Sequence, residues 1–431
     1  MAVGTLLKST VKGNVKVVVG GDIRHTSQAL QKRVMDGLQN SGMKVIDAGS
    51  TSTPLLAYAV RCSASAVGVM VTASHNPPAY NGFKFFLNDG SAPISWLESL
   101  YVVLRKLEFR RGAGIFEQKD FLPEYRNALV HSVTKSFRGF SLVADLGNGA
   151  SALTVPSVLT ALGCKADLLH GRIDPDFPDR GPDSSHLPAL EPLGKRVRET
   201  GASLGAAFDG DGDRITFVDD LGVPLPCDDA LCLYARHYLL LQPGRKVVYD
   251  AKSAGHVETA VLHSGGIPIL ERPGHVFIHT RMQKENALLA GEASGHFFLP
   301  GVFPGDALYN LLVFIEILKE LGAPLSQIRR EFPRRVTSND LKVRFEMKDL
   351  PTLVKRLAER ARALGAKVSE VDGVRAVFKN GWGIVRASVT EPVLACRFEA
   401  ENMGVIREMV EAWFKDSPEL KVELLNRIPK D

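Results

Sequence analysis

Three stretches of this chain share one layout, and that repeat restricts the fold more than any other feature. An apolar run at 15–19 leads to Asp22, a helical stretch and the turn Ser41-Gly42-Met43. A second run at 140–144 leads to Asp145, a helical stretch and Leu162-Gly163-Cys164. A third at 246–249 leads to Asp250, a helical stretch and Ser264-Gly265-Gly266. Each reads as strand, polar loop, helix, glycine turn and strand, a βαβ unit whose helix stops at a residue free to take a left-handed conformation. A period of about 100 residues is duplication of a domain and too long for a solenoid unit. The spacing predicts three tandem α/β domains over 1–139, 140–239 and 240–335. From 341 the pattern changes to short strands at 341–345, 373–379, 383–386 and 393–399, with helices at 350–364 and 402–415. That predicts a smaller C-terminal α+β domain over 340–431, joined by a linker at 329–339. Arg329, Arg330, Arg334 and Arg335 cluster on this linker and read as solvated.

Four loops carry candidate chemistry. An apolar run at 66–71 stops in Thr72-Ala73-Ser74-His75-Asn76-Pro77. A strand ending this way offers a hydroxyl at the carboxyl edge of a sheet, where ligands sit in open α/β folds, so Ser74 is the candidate nucleophile. The same residues also suit a plain turn. The second loop, Asp209-Gly210-Asp211-Gly212-Asp213-Arg214, lies between strands expected at 203–208 and 215–218. Three carboxylates at alternate positions converge on one hard cation, and packing them together without one is costly. An EF-hand does not fit, because Arg214 stands at the sixth loop position and Asp220 at the twelfth. With a phosphate supplying a further oxygen, Mg²⁺ is the natural ion. The third loop, Gly291-Glu292-Ala293-Ser294-Gly295-His296, offers a carboxylate, a hydroxyl and an imidazole suited to sugar hydroxyls, and Gly274-His275 can join the same pocket. Alone, such a histidine is more often structural. The fourth, Arg386-Ala387-Ser388-Val389-Thr390-Glu391-Pro392, sets Arg386, Ser388 and Thr390 at alternate positions, a phosphate cradle if it is not an ordinary hairpin loop.

Composition narrows the function classes. With 45% hydrophobic and 23% charged residues in 431, the chain has the balance of a globular protein. The net charge of +5 is spread among interspersed acids and bases, which argues against nucleic acid and suits an anionic small molecule. No apolar span is long enough for a membrane. The five cysteines, odd in number and without C-x-x-C spacing, fit reduced thiols in the cytoplasm.

In this order and spacing the loops resemble the α-D-phosphohexomutases, in particular the phosphomannomutase/phosphoglucomutase branch. The match includes Asn81-Gly82-Phe83-Lys84 and Asp145-Leu146-Gly147-Asn148-Gly149-Ala150 and runs over nearly the whole chain. The resemblance implies four domains around a central cleft, with Ser74 carrying a phosphoryl group and Asp209, Asp211 and Asp213 binding Mg²⁺ beside it. It implies that Glu292 and Ser294 contact sugar hydroxyls, and that Arg386, Ser388 and Thr390 hold the phosphate not being transferred. Lys84, Arg214, Lys252, His275 and His296 match polar positions of the family's cleft, and Arg24 an arginine of its first domain. A hexose 1,6-bisphosphate is the implied intermediate and activator, and Lys84 and His296 are both open as general base. The implied partners are sugar phosphates, with a monomer or homodimer as the assembly.

The chain departs from the family pattern in three places. Residues 2–8 look like the end of a helix that family members precede with a strand and an arginine loop. A sheet lacking that strand is expected to expose backbone and apolar surface, and added upstream residues are expected to raise solubility and activity. Gly21 stands where an arginine is frequent, and Val389 where an asparagine is. The competing readings are a phosphoglucosamine mutase and a sugar-phosphate-binding relative without turnover. A serine hydrolase is disfavoured, since no G-x-S-x-G elbow is present.

Overall fold

The computed structural model describes residues 1–11, 15–88, 90–301, 304–338, 340–345, 349–388 and 393–429. Three of its four sheets follow one plan. In the first, Lys16–Gly21 lies between the parallel strands Lys44–Ser50 and Val67–Val71, and Phe83–Leu87 runs antiparallel beside Val67–Val71. The second sets Ser141–Asp145 between Lys165–Leu169 and Leu204–Phe208, with Ile215–Val218 antiparallel to the latter. The third sets Lys246–Asp250 between Ile267–Glu271 and Leu289–Gly291, with Phe297–Phe298 antiparallel. The three central strands are the apolar runs that define the repeat. The helices after them run down to Gly42, Gly163 and Gly265, each with φ between 68° and 76°, the left-handed turn expected there.

This shared plan has one consequence for chemistry. The loop between the last parallel strand and its antiparallel neighbour holds Ser74 in the first sheet, Asp209 to Arg214 in the second and Glu292 to His296 in the third. The active loops are therefore the same loop, used three times.

Packing separates the first three sheets from the fourth. One apolar cluster contains Val18, Leu142 and Val247, a residue from each of the three central strands. The helix Ala307–Leu321 is buried along most of its length, and Phe314 stacks on Phe217 at 3.9 Å. Residues from the fourth sheet have a core of their own, with Trp413, Phe398 and Val410. That sheet is antiparallel throughout: Val336–Thr337, Val393–Ala400, Gly381–Ala387, Val374–Val377 and Lys367–Ser369, with Leu341–Arg344 also on Val393–Ala400. It meets the third sheet through a small apolar patch of Ala251, Trp382 and Ile384. Polar contacts complete the joint: Arg375 donates to the Ser253 carbonyl at 2.9 Å, and Lys367 pairs with Glu258 at 2.5 Å. A small, polar joint of this kind is where domains move.

The fourth sheet and the C-terminus differ from the sequence reading, which did not give the strand Lys367–Ser369. Val336–Thr337, inside the expected linker, is an edge strand paired to Ala400 and Glu399. A helix Pro418–Arg427 follows Met403–Trp413 at the C-terminus. Only Leu420 and Leu424 of the Pro418–Arg427 helix are buried, too short an apolar stripe to stand out as a period. At the other end Ala2–Thr10 is helical, and Gly4 lets it approach Ser41, whose Cβ a Gly4 Cβ would meet at 2.5 Å. The outer edge of Phe83–Leu87 pairs with Gly90–Ser91 through Phe86 and Leu87, and Phe83 is 47% exposed.

Candidate active site

Ser74 sits just beyond Val67–Val71 with φ 52°, a left-handed conformation that costs a non-glycine residue on the order of 1 kcal/mol. The surroundings impose it. Its N–H donates to Thr72 Oγ1 at 2.9 Å, and Thr72 Oγ1 in turn donates to Asp22 at 2.7 Å. Asp22, just beyond the central strand, also takes Ser27 Oγ and the Arg24 N–H. The Ser74 hydroxyl then donates to Asp209 Oδ2 at 2.9 Å. Gly210 allows this approach, because a Cβ there would lie 2.5 Å from the Ser74 carbonyl.

Asp209, Asp211 and Asp213 are buried, and ligand oxygens from all three lie within 4.8 Å of one another. Asp209 Oδ1 takes the backbone N–H groups of Gly212, Asp213 and Arg214 at 2.9, 3.1 and 3.2 Å, which folds the loop around it. Lys84 reaches in from Phe83–Leu87 and donates to Asp211 Oδ2 at 2.7 Å and Asp213 Oδ2 at 2.6 Å. Asp211 Oδ1 and Asp213 Oδ1 are buried without a hydrogen-bond partner. Burial, with Asp213 and Asp211 next in weight, raises the Asp209 carboxyl well above its usual range. Burial also raises Asp213, but the Lys84 and Arg214 cations outweigh it and hold Asp213 low. Crowded carboxylates with two buried oxygens that take no hydrogen bond fit a hard divalent cation, and all-oxygen donors suit Mg²⁺.

The third loop closes over this pair. Ile215 donates its N–H to the Gly295 carbonyl at 3.0 Å, across domains, and Gly295 at φ 83° leaves no room for a Cβ against the Ile215 carbonyl. His296 stacks on Phe298 at 4.5 Å and lies 5.9 Å from the His275 ring. Burial pushes His296 down to about 4 and His275 down to about 3, so both are neutral imidazoles at pH 7. Glu292 accepts the Gly274 N–H at 2.6 Å, and burial beside Asp250 pushes its carboxyl up to about 7. Asp250 braces this loop by accepting the Ala293 N–H at 3.0 Å. Asp145 holds the second loop through Arg180 Nε at 2.8 Å, whose Nη2 bonds the carbonyl of Phe208 just before Asp209. Each central strand thus leads into an aspartate that holds its own domain's loop.

A cleft of ≈ 1100 Å³ runs past these loops. Arg214, Lys252, Glu292, Ser294 and Arg386 line it, as the sequence reading requires if they are to act together. Lys252 is paired with Asp340 at 2.5 Å and Arg386 with Asp372, so both cations face the cleft with a carboxylate at hand. Ser388 opens the fourth loop and donates its N–H to the Val393 carbonyl at 2.8 Å. Thr390 and Val389 lie outside the described residues. The lining also includes His75, Asp183, Ser185, His186 and Arg397, which the motifs did not single out. His75 was within view, next to Ser74. The stretch from Asp183 to His186 belongs to a long polar loop with no pattern of its own.

Arg24, expected from the family resemblance among the catalytic residues, is occupied in holding the backbone. Its Nε donates to Asp22, and its two terminal nitrogens donate to the carbonyls of Pro77, Tyr80, Ser74 and Asn76 at 2.7 to 3.0 Å. A guanidinium has five N–H donors, and all five are spent here, so none is left for a transferring phosphoryl group. Arg24 ties the Ser74 loop instead. Arg24→Lys is expected to destabilise the fold by about 2–4 kcal/mol, since an ammonium cannot bridge four carbonyls. Denaturant unfolding checks this, and an unchanged midpoint would refute it.

A strained serine poised on a buried acidic cation loop is the equipment of phosphoryl transfer, and a hydrolase triad has no use for the three carboxylates. Models of "Phosphoglucomutase/phosphomannomutase" alpha/beta/alpha domains I, II and III match residues 1–103, 120–222 and 226–336, and that of the C-terminal domain matches 337–415. The chain belongs to the phosphoglucomutase/phosphomannomutase family of α-D-phosphohexomutases, whose members are intramolecular phosphotransferases. It is 34% identical to a phosphomannomutase/phosphoglucomutase of Pseudomonas syringae over 93% of this chain and 87% of that one. It is 33% identical to a phosphoglucomutase of Neisseria gonorrhoeae over 95% and 89%. The crystal structure of a phosphoglucomutase/phosphomannomutase family protein from Burkholderia thailandensis superimposes with a TM-score of 0.87 at 31% identity, covering 99% of this chain and 92% of that one.

Proposed function

We propose that this chain interconverts hexose 1-phosphate and hexose 6-phosphate, with glucose or mannose as the sugar, through phosphorylated Ser74 and a hexose 1,6-bisphosphate. The observation that carries the reading is the Ser74 hydroxyl on Asp209, inside a buried loop of three carboxylates. Asp209, Asp211 and Asp213 would hold Mg²⁺, which offsets charge on the transferring phosphoryl oxygens. The free hydroxyl of the sugar phosphate attacks phosphoserine, the Ser74 Oγ–P bond breaks, and the hydroxyl proton passes to a base. The bisphosphate then turns over and returns its other phosphoryl group to Ser74. Lys84 is held as an ammonium by two carboxylates, whereas burial keeps His296 neutral and able to accept a proton. His296 is therefore the base in this reading, with Lys84 and Arg214 as fixed cations. Glu292 and Ser294, beside His275, grip the sugar. Lys252, Arg386, Ser388 and Thr390 take the distal phosphate, displacing Asp340 and Asp372. The small joint to the fourth sheet lets the cleft close and exclude water from phosphoserine.

No helix among the described residues is long and apolar enough to cross a membrane. The five thiols are free. We place the enzyme in the cytoplasm, as a monomer or homodimer acting on sugar phosphates. A coupled assay with Mg²⁺ and a trace of hexose 1,6-bisphosphate tests the reading on glucose, mannose and glucosamine 1-phosphates. Turnover ranked glucose or mannose first is expected. A preference for the amino sugar would favour the phosphoglucosamine reading, and phosphorylation without isomerisation would favour a binding protein.

Glu292 also sets a pH dependence. Its carboxyl rises from 4.5 to about 7 on burial, so the folded state binds the extra proton between those values. The stability it contributes is fully present below 4.5, falls as pH rises, and is lost above 7. Glu292→Gln stays neutral throughout. Thermal melting from about pH 5 to pH 8 is expected to show the variant gaining on the wild-type chain as pH rises. Parallel curves would contradict it.

A further inference from the structure

Asp211 is held by a residue of another domain. The helix Thr53–Cys62 starts beside the metal loop, capped by Ser52, whose Oγ accepts the Leu55 N–H. Its first residue, Thr53, is 3% exposed. The Thr53 backbone N–H donates to the Asp211 carbonyl at 2.9 Å, and its hydroxyl donates to Asp211 Oδ2 at 2.5 Å. Ser52 packs beneath the same loop, 3.5 Å from where a Gly212 Cβ would lie.

The two oxygens of Asp211 are therefore unequal. Oδ2 takes Thr53 and Lys84, and Oδ1 takes no hydrogen bond although it is buried. A carboxylate that is free to rotate presents either oxygen. One clamped by a hydroxyl on one side presents only the other. The clamp also crosses from the first domain, which carries Ser74, to the second, which carries the carboxylates, so it fixes nucleophile and cation loop against each other. The positive end of the helix, buried at Thr53, favours the negative charge it holds.

We propose that Thr53 is a positioning residue for the cation: its hydroxyl clamps Asp211 Oδ2 so that Oδ1 is the oxygen presented to Mg²⁺. This rests on the reading of Asp209, Asp211 and Asp213 as the Mg²⁺ ligands. Thr53→Val removes the hydroxyl, keeps the shape and keeps the backbone bond to Asp211. Thr53→Ser restores the hydroxyl.

The test is Mg²⁺ titration of the EDTA-stripped full chain by calorimetry, with the rise in melting temperature on adding Mg²⁺ as a second readout. Thr53→Val is expected to bind Mg²⁺ about tenfold more weakly, as loss of one hydrogen bond to a charged group predicts. Thr53→Ser is expected to bind as the wild-type chain does, and Asp211→Asn to bind worst. A merely structural threonine would lower the melting temperature equally with and without Mg²⁺; the proposal requires the Mg²⁺-induced rise itself to shrink. Wild-type affinity in Thr53→Val, with binding lost in Asp211→Asn, overturns the inference and leaves the metal reading standing. Wild-type affinity in Asp211→Asn overturns both. If Thr53→Val does not fold, Thr53→Ala takes its place, and equal affinity of Thr53→Ala and Thr53→Ser overturns the proposal.

Discussion

Ser74→Ala abolishes mutase turnover, by on the order of a thousandfold or more, while sugar phosphate still binds. The expectation follows from the part the hydroxyl plays, since it donates to Asp209 of the carboxylate loop from a turn whose next residue, His75, lines the cleft. With the nucleophile gone there is no covalent relay, and the activity left over is that of a binding site. Substitution by alanine also removes the hydrogen bond to Asp209 at 2.9 Å but leaves the left-handed turn held by Thr72, Asp22 and Arg24. The fold is therefore expected to survive. The coupled assay, paired with calorimetric binding of glucose 1-phosphate, separates the two effects. Turnover within tenfold of wild type would mean that another group carries the phosphoryl.

Lys84→Met has the second large effect, on stability as well as rate. The ammonium sits between Asp211 and Asp213 and is 14% exposed. Removing it leaves three buried carboxylates crowded together with only the more distant Arg214 guanidinium to offset them, and breaking a buried ion pair costs about 3–5 kcal/mol. Melting in EDTA is expected to fall accordingly. Mg²⁺ supplies positive charge to the same carboxylates, so adding it is expected to recover much of that loss. Turnover is expected to stay down by about a hundredfold or more, because a cation aimed at the transferring group is missing from the transition state. An equal loss of stability with and without Mg²⁺ would show that the ion does not share this site.

The fold was readable because duplication writes itself three times. Each repeat combined an apolar strand, an aspartate and a glycine turn, and chance rarely supplies all three in step. The chemistry was readable where it is packed into contiguous loops, as in Thr72 to Pro77, Asp209 to Arg214 and Gly291 to His296. It was hidden where it depends on two distant segments meeting. Thr53 is an ordinary helix-start residue until Asp211 is found against it, 158 positions away. Arg24 matched an arginine of the family's first domain, and only its bonding to four carbonyls shows that it ties the Ser74 loop. The pairing of Lys252 with Asp340 is likewise a property of the assembled cleft. That each of Asp22, Asp145 and Asp250 braces its own loop was visible in sequence only as a repeated letter.

The most direct measurement follows one phosphoryl group. The purified chain is loaded with labelled phosphate from hexose 1,6-bisphosphate, freed of ligand, and mixed once with unlabelled glucose 1-phosphate while intact protein and sugar products are read by mass spectrometry. The label is expected on Ser74 first, then on glucose 1,6-bisphosphate, with unlabelled phosphate from the substrate returning to Ser74. Label that stays on the protein, or that leaves as inorganic phosphate without forming bisphosphate, would contradict the phosphoserine relay.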